Sequence, residues 1–183
     1  MESLKEEIRN CTKCADLVRS RTQAVAGDGK LPAKILFVGL APGRNGADIT
    51  GIPFTKDRSG LLFREALLKS NISNYFVTNI IKCNPKDNMG RNRLPKKEEI
   101  VNCRNYLLTE IYKISPEIII TLGKEALEFF LGPINQMREY ILKKRSFGGI
   151  FLIPFYHPSY IIRGSYKKEF YLRDFLTLRN LIS

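Results

Sequence analysis

The sequence has one histidine, His157, among 30 Lys and Arg residues, and it lacks several features that mark other classes of protein. No apolar run approaches the roughly 18 residues of a membrane span. The first residues, MESLKEEIRNCTKC, are charged and lack the apolar segment of a signal peptide. There is no internal repeat and no low-complexity tract. We therefore expect one cytoplasmic domain over residues 1–183, with no membrane partner.

Negative charge is also scarce, because 18 Asp and Glu face 30 Lys and Arg, which gives a net charge of +12. The basic residues concentrate in three stretches, at 86–97, 138–145 and 163–168. Each phosphate that a Lys or Arg neutralises releases counterions, so this excess favours a polyanionic partner. The alternative is a generically basic surface. We expect nucleic acid as the partner of a monomeric protein.

Short apolar runs, rich in β-branched and aromatic residues, predict four strands at 34–40, 75–81, 117–123 and 150–156. The runs are nearly continuous, as in strands that are buried on both faces. Helical patterns follow them at 60–70, 96–114, 123–132 and 167–183. This alternation predicts an α/β fold, a three-layer αβα sandwich around a four-stranded, mainly parallel sheet. Ligands of such sheets bind beyond the carboxyl ends of the strands, where the unusual motifs of this chain fall.

The four cysteines fall into two pairs, Cys11 with Cys14 and Cys83 with Cys103. A disulfide framework is not expected in a cytosolic protein of this size. The two-residue spacing of the first pair is a metal-ligand pattern, and four thiolates can hold structural zinc or an iron–sulfur cluster. The spacing does not decide between zinc and a cluster, and buried structural cysteines are a further alternative.

A glycine-rich segment, GLAPGRNGADITGIPFTKDRSG (39–60), follows the first predicted strand. Its glycines allow the backbone to approach a ligand closely, and it matches neither a Walker loop nor the dinucleotide fingerprint. It predicts a polar pocket wall that ends in Phe54 and Asp57. Phe54 either packs in the core or stacks on a planar ligand. Asp57 either serves the ligand or caps the helix that follows, a role for which Ser59 competes.

Five motifs in one order carry a family resemblance. They are Cys-x2-Cys near the N-terminus, GLAPG…TGIPF, VTNIIKCNP, a fourth cysteine on the next predicted helix, and a late HPS. The chain resembles the iron–sulfur uracil-DNA glycosylases of bacteria and archaea, families 4 and 5 of that superfamily, over nearly its whole length. The resemblance implies a [4Fe–4S] cluster on Cys11, Cys14, Cys83 and Cys103.

The motifs combine features of the two families. Asp57 and the length of the glycine-rich segment resemble family 5, and Leu40 stands where family 4 tends to have a glutamate. Asn79 in VTN and the stretch HPSYIIRG resemble family 4. The mixture leaves the assignment to one family open.

The resemblance implies that a uracil nucleotide is flipped out of DNA and that its N-glycosidic bond is hydrolysed. Asp57 is then expected to place the water and to stabilise the cationic sugar, and His157 to donate a hydrogen bond to uracil O2. Asn79 is expected to pair with the polar edge of uracil, and Phe54 to stack on the base. The other expected base-pocket residues lie in the glycine-rich turn: Gly39, Ala41, Pro42 and Gly43.

The stretch after His157 is expected to contact DNA through Ser159, Tyr160 and Arg163, with the arginine on a phosphate. Tyr160, Ile161 and Ile162 are candidates for filling the gap left by the flipped nucleotide, although both isoleucines also fit an ordinary core. Two other functions stay open. One is a non-catalytic iron–sulfur module that binds nucleic acid, and the other is a glycosylase acting mainly on hypoxanthine or xanthine.

Overall fold

A computed structural model describes residues 1–182 of the chain. Its strands are β1 (Asp28–Gly29), β2 (Ile35–Gly39), β3 (Tyr75–Asn79), β4 (Ile118–Leu122), β5 (Arg145–Phe147) and β6 (Ile150–Phe155). Its helices are α1 (Glu2–Arg9), α2 (Ala15–Ser20), α3 (Ala47–Thr50), α4 (Arg58–Lys69), α5 (Lys97–Ile114), α6 (Lys124–Leu131), α7 (Pro158–Ile162) and α8 (Lys168–Ile182), with a 3₁₀ turn at Met137–Glu139. Within residues 1–182, no helix has the length and apolar character needed to cross a membrane.

The strands form one sheet in the order β1-β3-β2-β4-β6-β5. The inner strands β3, β2, β4 and β6 run parallel and correspond to the four predicted strands. The edge strands β1 and β5 pair antiparallel, so the prediction of a four-stranded sheet was too small. These edge strands have two and three residues and little buried surface. They therefore lack the apolar runs from which the inner strands were predicted.

Alternating residues of β2 show how the sheet separates two cores. Leu36 and Val38 pack with residues of α1, α5 and α6 on one face. Ile35 and Phe37 pack with residues of α4, α7 and α8 on the other face. Because successive side chains of a strand point to opposite faces, a strand buried on both faces needs a continuous apolar run. The predicted three-layer αβα sandwich is confirmed.

The predicted helices are confirmed as α4, α5, α6 and α8, with ends that differ by one or two residues. The predicted end of the last helix, at residue 183, lies outside the described residues. Helices α1, α2, α3 and α7 were not predicted. Helices α2, α3 and α7 have six residues or fewer, too short for a clear helical period in the sequence, and α1 buries only two residues, Leu4 and Ile8.

Candidate active site

A cleft of about 860 Å³ opens at the carboxyl edge of the sheet. The inner strands are parallel, so residues at their carboxyl ends meet there, and the predicted site residues that line the cleft are Ala41, Pro42, Gly43, Phe54, Asp57, Asn79, His157, Ser159, Tyr160 and Arg163. Gly39 adjoins the cleft, because a β-carbon at this position would stand 2.5 Å from Asn79 Oδ1 and 2.9 Å from the Phe54 ring. The structure thus brings the predicted base-pocket and catalytic residues together.

The two carboxylate oxygens of Asp57 have different surroundings: one caps a helix, and the other lies at the glycine-rich turn beside the cleft. Its Oδ1 accepts a hydrogen bond from the backbone N–H of Gly60 at 2.7 Å, so Asp57 is the N-cap of α4. Ser59, the competing candidate for the cap, lines the cleft instead. Asp57 Oδ2 lies over the glycine-rich turn, where a β-carbon at Gly43 or Gly46 would come within 2.7 or 2.6 Å of it. The capping role and the position at the cleft are therefore compatible.

His157 is held in one tautomer by the residue two positions later. Its Nδ1 accepts a hydrogen bond from the Ser159 N–H at 3.1 Å and lies 2.8 Å from the Ser159 hydroxyl. Arg163 donates to that hydroxyl oxygen at 3.0 Å, which leaves the hydroxyl proton for Nδ1. An imidazole that accepts at Nδ1 carries its proton on Nε2 when it is neutral.

The imidazole of His157 is neutral at physiological pH. Burial, and secondly the charge of Arg163, lower the pKa of His157 from its ordinary value of 6.5 to about 4. Both causes disfavour the cationic ring. His157 therefore presents a hydrogen-bond donor that carries no net charge.

Asn79 ends β3 and is 2% exposed. Within residues 1–182, its Oδ1 has no hydrogen-bond partner. Leaving a buried acceptor unpaired costs about 1–3 kcal/mol. This oxygen is therefore suited to accept a hydrogen bond from a ligand in the cleft.

Phe54 fits both sequence interpretations, because it packs in the core and lines the cleft. Its ring centroid lies 4.7 Å from that of Phe63 and 5.7 Å from that of His157. Its backbone has a φ of 52°, which residues other than glycine rarely adopt. Arg64 supports this turn by donating hydrogen bonds to the carbonyl oxygens of Phe54 and Pro53. Strained backbone of this kind concentrates at functional sites.

The residues after His157 divide between core and surface. Tyr160 stacks on Tyr156 with centroids 5.0 Å apart, and Arg163 is exposed. Ile161 is 7% exposed and belongs to the core, because α7 turns it inward, so of its two predicted interpretations the core is confirmed. Ile162 is partly buried against the same core. The DNA contacts of Ser159, Tyr160 and Arg163 stay predictions.

A second, small cavity, which we call the cysteine pocket, contains the predicted ligands Cys11, Cys14, Cys83 and Cys103. All four are free thiols. Arg21 donates a hydrogen bond to Cys83 Sγ at 3.0 Å, and the Lys82 N–H donates to Cys103 Sγ at 3.3 Å. Donors of this kind tune the sulfur ligands of iron–sulfur clusters.

The cysteine pocket brings together four sulfur ligands of the kind that both structural zinc and iron–sulfur clusters use. Within residues 1–182, no group of three or more acidic, histidine or cysteine side chains is arranged to hold one metal ion. Burial raises the pKa of Cys83, and that of Cys103 to about 12, so a cation is needed to keep these sulfurs as thiolates.

Comparison with protein families matches residues 26–177 to the family described as the uracil DNA glycosylase superfamily. The chain belongs to the uracil DNA glycosylase superfamily. The resemblance that the motifs suggested is thereby confirmed.

Individual relatives in the superfamily carry Type-4 and Type-5 names. The Type-4 uracil-DNA glycosylase of Thermotoga maritima is 38% identical over 171 residues, which cover 90% of this chain and 84% of the relative. That of Saccharolobus solfataricus is 34% identical over 193 residues, covering 100% and 87%. A Type-5 uracil-DNA glycosylase of Pyrobaculum aerophilum is 29% identical over 147 residues, covering 64% and 63%. Similarity to both types agrees with the mixed motifs.

Asn84, in the wall of the cleft of this superfamily member, was not among the residues predicted from the sequence. Asn84 is buried, and its Nδ2 donates to the Pro42 carbonyl oxygen and to Asn92 Oδ1 at 2.9 Å. It thereby joins the glycine-rich turn to the loop after β3. Its position directly after Cys83, three residues beyond the predicted strand at 75–81, was the available indication. Other lining residues that were missed include Glu125 and Tyr156, whereas Arg138 belongs to the basic stretch at 138–145.

Proposed function

We propose that this protein excises uracil from DNA by hydrolysing the N-glycosidic bond, which leaves an abasic site and an intact strand. The observation that carries the proposal is that Asp57, Asn79 and His157 line one cleft in a member of the uracil DNA glycosylase superfamily. A carboxylate, a buried amide and a neutral imidazole supply the groups that this hydrolysis needs. Its Type-4 relatives carry the name uracil-DNA glycosylase.

The flipped base is recognised at the end of β3. The unpaired Oδ1 of Asn79 accepts the N3–H of uracil, whereas cytosine has no hydrogen at N3. Phe54 stacks on the base, and the absence of a side chain at Gly39 leaves both residues their space. A base with the wrong polar edge leaves a buried group unpaired, at about 1–3 kcal/mol for each.

His157 stabilises the leaving base. Its Nε2–H donates to uracil O2 as negative charge develops there, while Ser159 keeps Nδ1 occupied as an acceptor. A donor aimed at a developing oxyanion typically contributes a factor of about 10² to 10³ in kcat. The low pKa of His157 means that the ring donates this hydrogen bond without first becoming a cation.

Asp57 acts on the sugar side of the bond. Its Oδ2 accepts a proton from the attacking water, and its charge stabilises the cationic sugar that forms as the bond breaks. The cap to Gly60 keeps the carboxylate in place during this step. Ala41 and Gly43 of the glycine-rich turn line the same cleft.

The DNA strand lies along the basic rim of the cleft. Exposed Arg138 and Arg163 bind phosphates, and Tyr160 fills the space that the flipped nucleotide leaves. The net charge of +12 supports binding to single- or double-stranded DNA. The protein acts as a monomer in the cytoplasm.

The four residues of the cysteine pocket hold a [4Fe–4S] cluster in this proposal. Their all-thiol composition and the N–H donors from Arg21 and Lys82 fit such a group. When bound, the cluster supplies structural cross-linking of the N-terminal segment to the end of β3, since hydrolysis transfers no electron. Cys11 and Cys14 lie on that segment, and Cys83 and Cys103 lie beyond β3.

The test is incubation of the purified protein with oligonucleotides that carry one uracil, hypoxanthine or xanthine, followed by alkaline cleavage at abasic sites. We expect cleavage at uracil and none at cytosine in the matched control. Release of hypoxanthine or xanthine without uracil would contradict the assigned base. Tight DNA binding without release of any base would favour the non-catalytic module.

A further inference from the structure

Lys82 is a buried lysine between the cleft and the cysteine pocket. It immediately precedes Cys83 and is 1% exposed. Its Nζ donates to Glu110 Oε2 at 2.6 Å, to Thr78 Oγ1 at 2.6 Å and to the Asn79 carbonyl oxygen at 2.8 Å. A buried ammonium group requires partners for its charge and its three N–H groups, and these acceptors satisfy both requirements.

The partner carboxylate of Glu110 is equally buried and uses both oxygens. Its Oε2 also accepts from the Thr78 hydroxyl at 2.7 Å, and its Oε1 accepts from the Gly27 N–H at 3.0 Å. The ion pair therefore connects α5, the end of β3 and the segment that enters β1. Removing one charge alone would leave the other buried without a partner.

The backbone of Lys82 contacts the cysteine pocket. Its N–H donates to Cys103 Sγ at 3.3 Å. Cys103 and Glu110 both lie on α5, seven residues or about two turns apart, and so on the same face of the helix. Lys82 thus contacts one predicted cluster ligand with its main chain and the carbonyl of the proposed base-binding residue with its side chain.

We propose that Lys82 is a positioning residue that holds Asn79 at the base pocket and Cys103 at the cysteine pocket through its ion pair with Glu110. Neither Lys82 nor Glu110 lines the cleft, so any effect on the base passes through the peptide of Asn79. Lys82 donates a hydrogen bond to the carbonyl oxygen of Asn79, and the side-chain Oδ1 of Asn79 lies against Gly39. This inference rests on the proposed uracil excision.

The experiment compares the 183-residue protein, loaded with iron and sulfide, with the double variant Lys82→Met/Glu110→Gln, which removes both buried charges. We expect kcat/KM for uracil release to fall at least about tenfold and the inhibition constant of free uracil to rise by a similar factor. Affinity for an oligonucleotide without uracil stays within about twofold, because the basic rim is unchanged. Loss of iron to a chelator becomes several-fold faster.

A matched pair of variants reports on the same network with less disturbance. Thr78→Val removes the hydroxyl that links Lys82 to Glu110 at nearly constant volume, and Thr78→Ser keeps it. We expect Thr78→Val to weaken inhibition by free uracil, whereas Thr78→Ser should be inhibited as strongly as the wild-type protein. Leu178→Ala, in the core on the opposite face of the sheet, serves as a control for general destabilisation.

The outcomes separate the two proposals. If the wild-type protein releases no uracil, the proposed function fails and the inference fails with it. If the wild-type protein is active and the double variant keeps both its uracil inhibition constant and its rate of iron loss, only the inference is overturned. If Leu178→Ala reproduces the changes of the double variant, the effect is general destabilisation, and the inference is likewise overturned.

Discussion

A β-carbon at position 43 would stand 2.7 Å from Oδ2 of Asp57. Apart from its neighbours in the chain, no other described atom lies within 4 Å of that point. Gly43 therefore makes room for one oxygen of a carboxylate whose other oxygen caps α4 through Gly60. The second glycine of the GLAPG motif, Gly43, and Asp57, 14 positions later, are therefore coupled through the space that the carboxylate occupies.

Gly43→Ala should lower kcat for uracil release by about tenfold to a hundredfold, because the methyl group displaces Oδ2 of Asp57. The measurement is single-turnover release of uracil from a single-stranded oligonucleotide. In an Asp57→Gly background, the same substitution should change the residual rate less than about twofold. An equal loss in both backgrounds would show that Gly43 does not act through Asp57.

Asp57→Asn and Asp57→Ala should separate the two tasks of this residue. Both should reduce kcat by about a hundredfold or more, because the negative charge at the sugar is lost. Asn keeps an oxygen for the Gly60 N–H, whereas Ala should lower the free energy of unfolding by about 1 kcal/mol. Urea denaturation measures the second effect. Full activity in Asp57→Asn would contradict the assigned chemistry.

The neutral state of His157 should appear in the pH dependence of stability. Its pKa is about 4 in the folded protein and ordinarily 6.5, so the unfolded chain binds a proton first as the pH falls. The free energy of unfolding should therefore drop by about 1–2 kcal/mol between pH 7 and pH 5 because of this residue. His157→Gln should lack that part of the decrease. Identical pH profiles of the two proteins would disprove the lowered pKa.

Asp48, in the glycine-rich segment, should contribute strongly to the free energy of unfolding. This buried carboxylate accepts hydrogen bonds from Lys86 Nζ at 2.8 Å and from the backbone N–H and hydroxyl of Thr22. Asp48→Ala should lower the free energy of unfolding by about 3 kcal/mol, because the Lys86 charge loses its partner. Glu117→Ala, which breaks an exposed pair with Lys34, should cost less than about 1 kcal/mol. Similar losses in urea denaturation would contradict this ranking.

Arg138 should contribute to DNA binding through charge. It is exposed at the rim of the cleft, so Arg138→Ala should reduce the slope of log K against log salt concentration by about 1. Fluorescence anisotropy with a labelled oligonucleotide at several salt concentrations measures the slope. Lys113→Ala, near the end of α5 and just before β4 begins, removes an equal charge at the opposite edge of the sheet. Equal changes in the two variants would show that binding does not favour the cleft.

The inner sheet was predictable because strands that are buried on both faces require continuous apolar runs, and such runs are visible in the sequence. That the predicted site residues would meet in one cleft was predictable for a related reason, since the ends of parallel strands meet at one edge. The edge strands β1 and β5 left no such trace, because they are short and held by neighbours rather than by burial. Ile161 was ambiguous because the residues around it in the sequence do not determine which face of the short helix α7 is buried.

The sequence by itself determined the residue types that chemistry needs: one imidazole, a carboxylate beside a glycine-rich turn, an amide at a strand end, two pairs of thiols and an excess of positive charge. Only the tertiary structure decided which atoms meet, such as Asn84 Nδ2 with the Pro42 carbonyl oxygen, 42 positions away, and Lys82 with Glu110, 28 positions away. Hydrogen bonds depend on distances of tenths of an ångström and on direction. For distant residues, those distances are set by how the helices pack on the sheet, which no local pattern encodes.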